Sequence, residues 1–146
     1  MHTQPTLSSL SIRRFAPEAK VPTRAHPDDA GLDLYGFEDV ILAPGEGKMC
    51  RTGVGIALPH GYMGMVADRS SMGKRGIKTA GGIIDSGYRG EVHVILWNVS
   101  KEEVRLRAGE RIAQLIVYPI VYPAPVEVEQ FEETARGAKG FGSSGA

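Results

Sequence analysis

The chain has 146 residues, with 17 Lys and Arg against 17 Asp and Glu, and one cysteine. That length suits one domain with a full core, and the zero net charge excludes binding a polyanion or an anionic membrane through an overall field. A lone cysteine excludes an intramolecular disulfide and no apolar run is long enough to cross a bilayer, so a soluble, cytoplasmic protein without nucleic-acid or membrane partners is expected.

The opening "MHTQPTLSSLSIRRF" lacks the apolar region of a secretory leader, and its Leu10 and Ile12 read as an edge strand. In "AGLDLYG" (30–36) a strand turns Asp33 away from Leu32 and Leu34. A half-buried carboxylate there needs a partner, which a metal-bound water or a hydrogen-bonded turn would each supply, and this segment alone favours a turn-capping aspartate. The stretch "DVILAPGEGKMCRTGVGIALPHGYMGMVADR" alternates apolar runs with the turn chemistry of "PGEG" and "PHGY". Cys50 within it reads as a small buried hydrophobe.

"DRSSMGKRG" (68–76) is the one plausible helix, a turn or two with Ser70 as its N-cap. Arg69 could grip an anion there and Ser70 donate to it, or the segment could be an ordinary solvated cap; the glycine spacing is not that of a Walker loop. "TAGGIIDSGYRG" (79–90) reads as a hairpin: Ile83 and Ile84 lead to Asp85, a turn follows at Ser86-Gly87, then Tyr88. Gly81 and Gly82 leave backbone open to a flat ligand, Asp85 could deprotonate a water and Tyr88 could stack on a sugar. A turn aspartate beside a core tyrosine explains the same residues.

"EVHVILWNVS" places Val92, Val94 and Leu96 on one face of a strand. In "EVRLRAGERIAQLIVYPIVYP", Val104 and Leu106 alternate with arginines, "AGE" turns, and Gln114 interrupts an apolar run where its amide must find partners. Prolines 119, 123 and 125 confine that last stretch to an edge or an extended arm. The four histidines have no metal-ligand spacing. The tail "RGAKGFGSSG" holds too few apolar residues to order by itself. It reads either as a frayed end or as a lid, with Arg136, Lys139 and Phe141 set among glycines. Many short strands between turns imply an antiparallel sandwich or barrel.

With "AGLDLYG", "DRSSMGKRG", "GIIDSGYRG", "RIAQLIV" and "RGAKGFGSSG" in this order, the chain resembles the trimeric dUTP pyrophosphatases (dUTPases) over about residues 10–145. The resemblance implies an all-β fold, a distorted jelly-roll β-barrel of the dUTPase-like β-clip type, with one short helix and a flexible C-terminal arm. The barrel would span residues 1–126 and the arm 127–146. It implies a homotrimer whose sites lie between subunits, each arm closing over a site built by others, and hydrolysis of dUTP to dUMP and pyrophosphate. Asp85 would be the general base for water attacking the α-phosphorus, and Tyr88 would pack under the deoxyribose and leave no space for a 2′-hydroxyl. Main chain at Gly82 and Ile84, with Ile83 between them, would pair with uracil. Arg69, Ser70, Ser71 and Gly73 would hold the phosphates, joined by Gln114. Mg²⁺ would ride on the phosphates and waters with no direct protein ligand, Asp33 holding those waters. From the arm, Phe141 would stack on uracil while Arg136, Gly142, Ser143 and Ser144 bind the γ-phosphate end.

Two positions depart from the family's usual pattern: Thr79, where many members carry an Asn that reads uracil, and Lys139, where Gly is frequent. The related dCTP deaminases place a catalytic Glu on the strand after the Asp hairpin. Ile95 occupies that place here and cannot shuttle protons. A non-catalytic nucleotide-sensing module on the same barrel is a second alternative, and a plain β-sandwich adhesion domain, which would not need Gln114 within an apolar strand, is a third.

Overall fold

The computed structural model describes residues 7–140. Its strands in chain order are β1 (Ser11–Arg14), β2 (Leu32–Tyr35), β3 (Val40–Leu42), β4 (Gly47–Arg51), β5 (Val54–Ala57) and β6 (Tyr62–Ala67). Helix α1 (Ser70–Lys74) follows, then β7 (Ile77–Ala80), β8 (Ile83–Ile84), β9 (His93–Asn98), β10 (Val104–Leu106) and β11 (Arg111–Pro119). All strand pairings are antiparallel. They make two-stranded sheets β1-β5 and β10-β3, a four-stranded sheet in the order β2-β11-β6-β8, and a three-stranded sheet in the order β4-β9-β7. Short, non-consecutive antiparallel strands around one core form the jelly-roll-like all-β architecture expected from the turn spacing.

The turns fall where glycine permits them: Gly45, Gly61 and Gly109 hold φ of 75°, 88° and 82°, a region that costs other residues steric strain. Alternation then sorts the faces. Val92, Val94 and Leu96 are buried to a side chain, as are Val104 and Leu106, while Trp97 and Arg105 point outward. Leu34, Leu42, Ile56, Leu58, Ile77, Ile112 and Leu115 complete the centre, each contributing roughly 1.5–3 kcal/mol by leaving water. Asn98 is wholly buried without penalty: its amide donates to the carbonyls of Leu42 (2.9 Å) and Glu102 (2.8 Å), and its oxygen accepts from Ser100 N–H at 2.9 Å. Cys50 is buried in the same core, where loss of hydration pushes its thiol up to about 11.

Three local expectations change. The run "IAQLIVYP" is the centre of its sheet rather than an edge, because Pro119 falls at the last residue of β11, where a missing N–H costs little. The described residues beyond it, 120–140, carry no strand. Ser70 is the first helical residue and not the N-cap. That place belongs to Arg69, extended at φ −90° and ψ 141° and without a side-chain cap bond. Nor do the residues around Asp85 form a paired hairpin: β8 pairs with β6, and the chain returns from its turn as a loop until β9.

The loop is fastened at its far end by Glu91. Its carboxylate accepts from Gly53 N–H (2.7 Å) and from Arg51 through Nε (3.1 Å) and Nη2 (3.2 Å). Burial pushes Glu91 up, but Arg51, the Gly53 amide and His93 outweigh it and hold the group below its ordinary 4.5. A carboxylate with a lowered folded pKa stabilises above that ordinary value and loses its contribution as pH falls through the folded one. Glu91→Gln is therefore expected to cost about 2 kcal/mol at pH 7. In thermal melts the gap to the unsubstituted chain should close as pH is taken below 4.5.

Candidate active site

β11 brings three distant segments side by side. Gln114 stands opposite Asp33 on β2 and opposite Ala67 on β6, so the strip runs directly into Asp68, Arg69 and the start of α1. The Gln114 amide donates to the Asp68 carbonyl at 2.7 Å. Gly31 makes space for it: a Cβ there would meet Gln114 Oε1 at 2.1 Å. Asp33, its side chain 13% exposed, lies between two cations, with Arg69 Nε at 2.9 Å and Arg111 Nη1 at 3.4 Å. Arg69 is braced further by Ser71 Oγ and the Arg111 carbonyl, both at 3.2 Å. Asp29, Asp33, Arg69, Ser70, Arg111 and Gln114 are among the residues that line a cleft of about 280 Å³.

Two guanidinium groups, Arg69 and Arg111, and two carboxylates, Asp29 and Asp33, line the cleft, so its formal charges balance. The donors it offers an anion are those guanidinium groups and the first N–H groups of α1, which have no intrahelical partner. The Gly73 N–H donates to the Arg69 carbonyl at 3.0 Å, and its surface is open, with no atom within 4 Å of where a Cβ would stand. Asp33 is not idle either: both oxygens already brace arginines, and a carboxylate has lone pairs beyond those two bonds for water. Among the described residues no group of three or more His, Cys, Asp or Glu is placed to hold a metal directly.

A second cleft, of about 250 Å³, is lined by Gly81, Ile83, Ile84, Asp85, Tyr88 and His93, among others. Asp85 is exposed at the turn closed by Tyr88 N–H donating to its carbonyl at 3.1 Å. Among the described residues no hydrogen bond or ion pair engages its carboxylate. Tyr88 folds back over Gly90 and donates to the Glu91 carbonyl at 2.7 Å, which is why the chain curls instead of pairing. The half-exposed ring forms one wall.

β8 is the outer strand of its sheet, so one side of its backbone faces the cleft. The Gly82 carbonyl accepts from Val66 N–H at 2.7 Å and Ile84 stands opposite Gly64. Antiparallel alternation then turns the Ile84 main chain toward β6 and the Ile83 main chain outward. Of the three residues singled out in the sequence, Ile83 is thus the one whose main chain faces away from β6. Ile95 reaches this cleft's rim, its Cδ1 lying 3.3 Å from where a Cβ on Gly81 would be, and carries no proton donor.

At Gly82 a Cβ would come within 2.4 Å of the Val66 carbonyl oxygen, a backbone atom that cannot swing away. Gly82→Ala should lower the unfolding free energy by about 1–3 kcal/mol in denaturant melts. Gly87→Ala, with nothing within 4 Å, should leave it within about 0.5 kcal/mol.

Two participants have no role in the sequence reading. Arg111 lies inside the quoted "RIAQLIV" but meets Asp33 only through strand pairing across the sheet. Asp68 ties β6 to β7: its carboxylate accepts from Thr79 N–H at 2.7 Å and pairs with Lys78. Burial raises its pKa, yet Lys78 and the Thr79 amide hold it below its ordinary value. Arg136 is described and exposed, its Nε donating to the Lys139 carbonyl at 2.9 Å. Phe141, Gly142, Ser143 and Ser144 lie outside the described residues.

A family model described as dUTPase matches residues 17–145. The deoxyuridine 5′-triphosphate nucleotidohydrolase of Nocardia farcinica is 49% identical over 143 residues, covering 95% of this chain and 87% of that protein. Its counterpart in Cutibacterium acnes is 50% identical over 133 residues, covering 88% and 87%. Among solved structures, the dUTPase of Staphylococcus bacteriophage 80alpha with dUPNHPP is similar with a TM-score of 0.89 at 33% identity, covering 95% of this chain and 99% of that one. A mutant dUTPase from phage phi11 of S. aureus, described with a structural Mg(II) ion, gives 0.79 at 28% identity, covering 86% and 99%. With an arginine-bearing cleft, an unpaired turn carboxylate and a family match over nearly its whole length, the chain belongs to the dUTPase family.

Proposed function

We propose that the chain hydrolyses dUTP to dUMP and pyrophosphate, with Asp85 as the base that activates water. One observation carries this reading: the Asp85 carboxylate is presented at a turn, beside open strand backbone, with no partner among the described residues. Both of its oxygens are therefore available to accept from a water placed over the open β8 backbone. The water gives its proton to Asp85 as its oxygen bonds to the α-phosphorus, and the bridging oxygen leaves with pyrophosphate. Arg69, the amides and hydroxyls of Ser70 and Ser71, and the open face at Gly73 hold the phosphates, with Gln114 and Arg111 beside them. Their positive charge answers the charge that shifts to the leaving group. Ile83 and Gly82 read the base along the β8 edge, and Tyr88 walls the sugar.

Mg²⁺, when bound to the phosphates, supplies further charge neutralisation. The free lone pairs of Asp33 suit water-mediated contact with it. Arg136, Phe141, Gly142, Ser143 and Ser144 act as the lid over the γ-phosphate end and the uracil. The Arg69–Arg111 cleft and the Asp85 cleft share no lining residue on one chain. A homotrimer that sets one chain's Arg69–Arg111 cleft against another's Asp85 turn would unite them. In the cytoplasm such an enzyme would keep uracil out of DNA and supply dUMP for thymidylate synthesis.

The test is a turnover in ¹⁸O-enriched water with dUTP, and parallel assays on dTTP, dCTP and UTP. Label in dUMP, with dUTP strongly preferred and no ammonia from dCTP, is the expected result. Label in the pyrophosphate would overturn the α-phosphorus assignment.

A further inference from the structure

Where the arm leaves the barrel, an aromatic residue without a role above joins two loops. Past the end of β11, Ile120 N–H donates to the Gly61 carbonyl at 2.8 Å. Gly61 N–H in turn donates to the Tyr122 hydroxyl at 3.2 Å, and the His60 ring stacks on the Tyr122 ring with centroids 4.7 Å apart and planes at 20°. The same hydroxyl lies 3.4 Å from Ser86 Oγ. Ser86 is the residue after Asp85, inside the turn that Tyr88 N–H closes.

That turn is bonded within itself, with Arg89 Nη1 donating to the Ser86 carbonyl at 2.6 Å, but has few ties to the rest of the barrel. β8 has only two paired residues, Ile83 and Ile84, and beyond the turn the next anchors are the Glu91 carboxylate and Val92 N–H on the Val54 carbonyl at 2.8 Å. A segment with so few bonds to its surroundings samples open states readily. We propose that Tyr122 is a positioning residue: its hydroxyl ties the Asp85 turn to the 59–61 turn and so fixes where the Asp85 carboxylate stands. The stack on His60 holds the ring, and the hydroxyl does the tethering. The inference rests on Asp85 being the base.

Two variants isolate the hydroxyl. Tyr122→Phe keeps the ring and its stack but removes both bonds, and Ser86→Ala removes only the bond to the turn. Amide exchange at Gly61 and Tyr88 reads the tether, and kcat and KM for dUTP read its consequence. Tyr122→Phe should speed exchange at both amides, and Ser86→Ala at Tyr88 alone. In both, kcat should fall about threefold to tenfold, the worth of one ordinary hydrogen bond, with KM within about twofold.

Unchanged Tyr88 exchange in both variants would overturn the tether. Faster exchange with unchanged kcat would overturn the positioning role. Tyr122→Ala, which loses the stack as well, should be no slower in turnover than Tyr122→Phe by more than about threefold; a much larger loss would make the ring itself the operative part. Failure of the base assignment reads out separately, as retained turnover in Asp85→Asn, while the exchange data still report whether the loops are tied.

Discussion

Asp85→Asn is expected to lower kcat for dUTP by about 10²–10⁴-fold, the range associated with a positioned general base. The amide has almost the same shape and cannot accept the water's proton. Because Asp85 is exposed and makes no bond that folding uses, its replacement should change the unfolding free energy by less than about 0.5 kcal/mol. Affinity for the non-hydrolysable dUPNHPP should likewise stay within about threefold, since the phosphates are gripped from the other cleft. Steady-state kinetics, calorimetric binding and a thermal melt separate these three quantities. Turnover within tenfold of the parent would move the base elsewhere.

Removal of residues 136–146 is expected to lower kcat/KM by about a hundredfold or more, with the unfolding midpoint unchanged. The stability half rests on burial: every described residue from 121 to 140 is exposed, none is in a strand, and none belongs to the core. Val121, Val126 and Phe131 are 83%, 80% and 91% exposed, so this chain alone gives these three little cover. The catalytic half rests on the lid assigned to Arg136, Phe141 and the residues between and after them. A lid aligns the phosphate chain with the attacking water and excludes bulk solvent, and misplacement of reacting groups by about 1 Å can cost a hundredfold. A midpoint that fell along with activity would make the tail part of the barrel's support instead.

Much of this architecture is legible in the chain because alternation and turn residues are local. The buried face of "EVHVILWNVS" and the glycine turns at 45, 61 and 109 needed nothing beyond near neighbours. Non-local pairing was hidden. "IAQLIVYP" looked like an edge because its proline is visible in sequence and its two flanking strands, β2 and β6, are not. The apparent hairpin at Asp85 failed for the same reason: β6 takes β8 as its partner, and the Tyr88 ring occupies the space over Gly90.

The site followed the same division. Each singled-out side chain came from a recognisable segment, and β11 drew Asp33, Arg69 and Gln114 into one cleft. Which main-chain atoms remain free could not be read, since that depends on the register of β8 against β6. Arg111 escaped assignment because its contact with Asp33 spans 78 positions, and Asp68 because its partners Lys78 and Thr79 sit on another strand.

Burial of Cys50 gives this protein a built-in reporter. With its pKa pushed up to about 11, the thiol is protonated and shielded in neutral buffer, so an alkylating reagent can reach it only when the surrounding sheets part. As the sole sulfhydryl per chain, it gives one labelling event for each such excursion. Mass gained against time, with and without bound nucleotide, would then read how strongly occupancy of the clefts restrains breathing of the whole shell.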